Sequence, residues 1–69
     1  MQLDALIQKI KSFNGPLIIQ NVEDNHVDVL TSAGVIGLTV LPTGRVRDHF
    51  EGDTITHDDV DAAFASLTA

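Results

Sequence analysis

In 69 residues the chain carries ten acids against four Lys and Arg, three His, no cysteine and 43% hydrophobic residues, for a formal charge of −6. This length supports one small domain, 1–69, and a domain of this size buries about 60% of the surface its unfolded chain exposes. Disulfides and thiolate metal sites are excluded, an acidic balance repels phosphate backbones, and no apolar run suits a membrane span or signal peptide; the expectation is a cytoplasmic protein that binds neither nucleic acid nor membrane directly.

Leu3, Leu6, Ile7, Ile10 and Phe13 recur at spacings of three and four and predict an amphipathic first helix. Asn14-Gly15-Pro16 ends it, Gly by taking a left-handed conformation and Pro because it cannot continue a helix. Residues 17–22 are apolar and rich in branched side chains, and with the Glu23-Asp24-Asn25 turn that follows they predict a strand. Residues 26–31 alternate, with Val27, Val29 and Thr31 on one face and His26, Asp28 and Leu30 on the other. Ser32-Ala33-Gly34 makes the next turn. Residues 35–41 predict the most buried strand, with Ile36, Leu38 and Val40 on one face; Gly37 interrupts the other face and marks a bulge or a close backbone approach.

Pro42-Thr43-Gly44 reads as a turn into a fourth strand over residues 45–50, with Arg45, Arg47 and His49 outward and Val46 and Phe50 inward. Asp48 falls on the inward side. Either the strand ends near Arg47 or this carboxylate needs a buried donor. Glu51-Gly52-Asp53 reads as a loop, and Thr56 stands where the N-cap of a second helix belongs. Ile55 and Val60 have the spacing of a hydrophobic staple, and Asp59 takes the capping-box place. Val60, Ala63, Phe64 and Leu67 form the apolar stripe of this helix, and Ala62, Ala65 and Ser66 form a smooth outer arc.

The order is α-β-β-β-(β)-α. It defines an α+β domain with an N-terminal helix, a three- to four-stranded antiparallel meander sheet and a C-terminal helix, both helices on one sheet face because each has one apolar stripe to bury. Phe13, Phe50 and Phe64 are expected to meet in one core. The opposite sheet face would expose Val27, Val29, Val35 and Leu41, and an apolar patch of that kind marks an interface.

The charge is unevenly placed. Asp48, Glu51, Asp53, Asp58, Asp59 and Asp61 carry all of it, because the four acids among residues 1–47 balance Lys9, Lys11, Arg45 and Arg47. Asp58, Asp59 and Asp61 fall in the first turns of the second helix, where negative charge suits the helix dipole. Asp48, Glu51 and Asp53 have no such reason, and the six together form a candidate partner-binding surface for a protein with a basic face. Secondary interface candidates are Val27, Val29 and Val35 on the open sheet face, Arg45 and Arg47 at a sheet edge, and Ala62 and Ala65 on the second helix. The bland alternatives are that the arginines blunt the edge and that Ala is a strong helix former.

Chemistry is weakly signalled. His57 and Asp61, four apart, with Asp53 or His49 have the donor types for a metal ion, but no HExxH helix or EF-hand loop frames them. Ser32, His26 and Asp28 supply a nucleophile, a base and an acid without a Gly-x-Ser-x-Gly elbow, and no Gly-rich phosphate loop ends in Lys. No catalytic residue, cofactor or metal is therefore expected.

The α-β-β-β-α order is shared with double-stranded RNA-binding domains, but the basic start of their last helix is replaced here by His57-Asp58-Asp59. In size, charge and lack of motifs the chain is similar to small acidic inhibitors encoded by phages and mobile elements, including some anti-CRISPR proteins. That likeness implies a non-enzymatic inhibitor or modulator acting on a basic protein partner. A structural homodimer or assembly subunit using the apolar sheet face is the alternative, and a small metal-binding protein is a second.

Overall fold

A computed structural model describes residues 2–68, with side chains from residue 3 onward. Helix α1 (Gln2–Ser12) forms where the apolar spacing predicts it, burying Leu3, Leu6 and Ile10. It ends at Ser12, ahead of Pro16, and Gly15 is not in the left-handed region expected of it; glycine is needed there for space, because a β carbon would collide with the Phe13 ring. Strands β1 (Ile18–Glu23), β2 (His26–Thr31), β3 (Gly34–Val40), β4 (Val46–Phe50) and β5 (Asp53–His57) then make one antiparallel sheet in sequential order. Helix α2 (Val60–Leu67) closes the chain.

The fifth strand is an addition to the three or four expected. Residues 53–57 pair with β4 from Asp53 opposite Phe50 to His57 opposite Val46. What permits this is the turn before them: Glu51 at φ 51° and Gly52 at φ 83° are both left-handed, the geometry that joins two twisted strands through two residues. The Thr54-Ile55-Thr56 run, β-branched throughout, suits a pleated strand. Helix α2 consequently begins later than expected. Asp59 is its N-cap, in extended conformation, with Oδ1 accepting the Ala62 N–H at 2.8 Å. Thr56 is a strand residue, and the Ile55–Val60 staple does not form, because Ile55 is 58% exposed on β5.

Both helices cover one face of the sheet. The register sets Val27 opposite Leu38, Val29 opposite Ile36 and Val40 opposite Val46, so the apolar stripes of β2, β3 and β4 stack on one side. Leu6, Val27, Val29, Leu38 and Val46 are fully buried there with Val60 and Ala63. The expectation that Val27 and Val29 lie on the open face is therefore corrected. Alternation assigns them to a common face but does not say which; their partners on β3 do. Phe13 and Phe64 meet edge to face at 5.7 Å and 84°, whereas Phe50, expected with them, stands half-buried beside Gly34. Gly37 marks no bulge, because the β2–β3 register runs unbroken past it; the bulge of this sheet is in β1, where the register slips between Ile19 and Asn21.

Candidate functional site

The six clustered acids do not form one surface. Asp48 is on the helix side of β4, only 9% exposed, and its Oδ2 accepts from His57 Nε2 at 3.3 Å. It is the inward carboxylate that needed a donor, and β5 brings that donor alongside. Asp48 is thus removed from the accessible acidic group. His57 is correspondingly a strand residue turned to Asp48, not a helical partner of Asp61. Asp59 caps α2, and Asp61 pairs with Lys9 Nζ at 2.7 Å across the two helices, an exposed pair of small energetic weight. Asp58 lies ahead of the cap rather than in the helix.

The remaining exposed acids are separated by β5. Glu51 and Asp53 flank the β4–β5 turn at one end, and Asp58 follows the strand at the other, a separation of roughly 16 Å at the usual rise per residue. Two patches result. Arg45 and Arg47 are exposed but not at a sheet edge, because β5 covers β4; Arg47 sits between Thr39 and Thr56 on the open face. Ala65 is exposed and Ala62 half-buried on α2.

The open face has two regions that the sequence reading did not assemble. One is apolar: Ile18 pairs with Leu30 and Leu30 with Val35, a row across three strands in which Ile18 is 58% and Val35 46% exposed. Carrying the β3–β4 register two residues beyond Gly37 opposite His49 brings Val35 opposite Glu51. The row therefore ends beside the β4–β5 turn that holds Glu51, whereas Asp53, paired with Phe50, is on the helix side. Alternation placed Leu30 on the same side as His26 and Asp28, and that was the available signal; the cross-strand partners lay outside it.

The other region is polar. His26 Nε2 is 2.8 Å from Asp28 Oδ1, and Nδ1 is 2.7 Å from Thr39 Oγ1. A carboxylate only accepts, so Nε2 carries the proton toward Asp28, and Nδ1 of the neutral ring accepts from the Thr39 hydroxyl. The imidazole lies over Gly37, where a β carbon would stand 3.1 Å from Cε1, so the missing side chain makes room for the ring. His49, directly opposite Gly37, has Nδ1 3.2 Å from Thr54 Oγ1. The acid–imidazole–hydroxyl order is that of a nucleophile relay, but Thr39 takes the place that Ser32, exposed in the β2–β3 turn, was considered for. Thr39 lies in a strand paired on both sides, whose backbone N–H groups are committed to ladders rather than aimed at a developing oxyanion. The network's effect is to hold a polar, hydrogen-bonding surface rigid across β2 and β3.

Among the described residues no group of three His, Asp or Glu converges as a metal site. Nor is any helix among them long and apolar enough to cross a membrane. What fold and face define is a small α+β domain with one sheet face packed and the other bare. No family model matches the chain, and no curated protein or solved structure is similar to it.

Proposed function

We propose that this chain is a small acidic protein-binding module that acts by occupying a surface rather than by catalysis, in the manner of an inhibitor or modulator in a reducing cytosol. The observation that carries the reading is the Ile18–Leu30–Val35 row on the uncovered sheet face, ending beside the exposed Glu51 of the β4–β5 turn. An exposed apolar strip bordered by one sign of charge fits a partner with an apolar centre and a Lys/Arg rim. This narrows the sequence-based expectation, which rested on six acids, to one acid and three apolar side chains.

The test is capture from the source cell with the tagged chain, identification of the retained protein by mass spectrometry, and comparison of variants against that one protein. Val35→Lys and Glu51→Lys are each expected to abolish retention while thermal unfolding stays cooperative. Asp58→Lys is expected to change it little. Retention that survives Val35→Lys and is lost on Asp58→Lys would move the site to the α2 end and end this reading.

A further inference from the structure

We infer that β1 is a dimerisation edge: two copies of this chain pair their β1 strands antiparallel about a two-fold axis, so that one sheet runs through both. The inference goes beyond the partner site above, because joining sheets edge to edge leaves the outer face open.

Among the described residues the outer edge of β1 has no strand beside it. The stretch Ile18-Ile19-Gln20-Asn21-Val22 contains no charge and no Pro, the usual means of blunting an exposed strand. Beside the first half of β1, where the end of α1 overhangs it, is an apolar cleft of about 300 Å³ walled by Ile10, Phe13, Leu17, Ile18 and Ile19, with exposed Lys11 at its rim. In the second half is a matching projection: Val22, paired with buried Val27 and so on the helix side, yet 49% exposed because no helix reaches it.

Cleft and projection lie on either side of the strand's midpoint. An antiparallel pairing that sets each copy's Ile19 opposite the partner's Val22 therefore satisfies both at once, since both residues are on the helix side of the sheet. The same register carries Asp24, in the turn that follows β1, toward the end of the partner's cleft where Lys11 stands, giving two symmetric attractions, while Glu23, paired with His26, is on the open face. Gln20, the bulged residue, meets the partner's Asn21 at the axis, where their side-chain amides can bridge a locally irregular ladder. A self-complementary patch of this kind is what a two-fold contact requires. A single six-residue edge is small, so the dimer is a weak, concentration-dependent one.

Sedimentation equilibrium of the full chain over about 10–500 µM, at low and moderate salt, tests this. The expected result is a monomer–dimer equilibrium that weakens with salt. Val22→Lys is expected to weaken it about tenfold or more, as is Lys11→Glu, and combining Lys11→Glu with Asp24→Lys is expected to restore it. Val22 is exposed, so the variant should unfold as the parent does; if it does not, the charge-reversal series decides alone. A strict monomer throughout the range overturns the inference, and so does a charge swap that fails to restore association. A dimer abolished by Val35→Lys but not by Val22→Lys overturns it as well, by placing the contact on the outer face.

Discussion

At position 51 a glutamate occupies a left-handed backbone conformation, φ 51°, that favours Gly or Asn. With Gly52 also left-handed, the turn asks for Asn-Gly, and Glu is a costly choice there. Glu51→Asn is expected to raise stability by about 0.5–1 kcal/mol, read from urea unfolding. If the proposed partner site is right, the same substitution weakens partner retention, so stability and binding move in opposite directions. Asp48 and His57 are the second residue-scale case. Their side chains are 12% and 13% exposed, and His57 Nε2 meets Asp48 Oδ2 at 3.3 Å. Removing one leaves the other's polar group buried without it, so Asp48→Ala is expected to cost about 1–3 kcal/mol in urea unfolding. Asp48→Leu combined with His57→Phe is expected to recover most of that loss, because a well-packed apolar pair of similar size is often as stable as the ions it replaces. That Asp48 faces inward was legible from its place between Val46 and Phe50. That His57 is its donor was not, because the two come together only through the β4–β5 pairing.

Among the elements, the start of α2 shows where local signals compete. Thr56, Asp58 and Asp59 are all N-cap residue types within four positions, and the staple spacing of Ile55 and Val60 favoured the first. The extension of β5 through His57 settles the matter, since a residue held in a strand ladder cannot also begin a helix. Asp59→Ala is therefore expected to lower stability by about 1 kcal/mol, while Thr56→Ala should stay within about 0.5 kcal/mol. Thermal unfolding followed by circular dichroism distinguishes the two; equal losses would contradict the observed cap. Helix α1, β2 and the Pro42-Thr43-Gly44 turn were legible with nearly their final boundaries. In each, period, turn chemistry and propensity agree. Gly44 does take the positive φ, at 90°, that its position in the turn implied.

Across the whole molecule, the division into a packed and a bare sheet face decides what each substitution costs. Leu38 and Val35 are three residues apart in β3, yet Leu38 is fully buried beneath the helices and Val35 is 46% exposed on the other side. Leu38→Ala is expected to cost about 2–5 kcal/mol. For a domain of this length, whose total stability is about 3–10 kcal/mol, that is a large share of the whole, and it unfolds much of the population at room temperature where the total lies at the low end. Val35→Thr should change the unfolding free energy in urea by no more than about 0.5 kcal/mol while weakening the proposed partner contact. A large loss from Val35→Thr would mean that the outer face is itself structural.

The sequence by itself determined what depends on neighbours along the chain: two amphipathic helices, a meander of strands, the turns between most of them, and which residues share a face. Periodicity carries that information because side-chain direction repeats every two or 3.6 residues. Tertiary structure alone decided the rest. Which side of the sheet faces the helices follows from cross-strand register, so Val27 and Val29 moved from the expected surface to the core. Whether residues 53–57 become strand or helix cap follows from a ladder with β4, and that ladder splits the acids, buries Asp48 and takes Arg47 off the edge. His26 finds Thr39, thirteen residues away, only because β2 and β3 pair in one register and Gly37 leaves room for its ring. A contact between strands is set by the free energy of packing the whole face, and no window of sequence contains both sides of it.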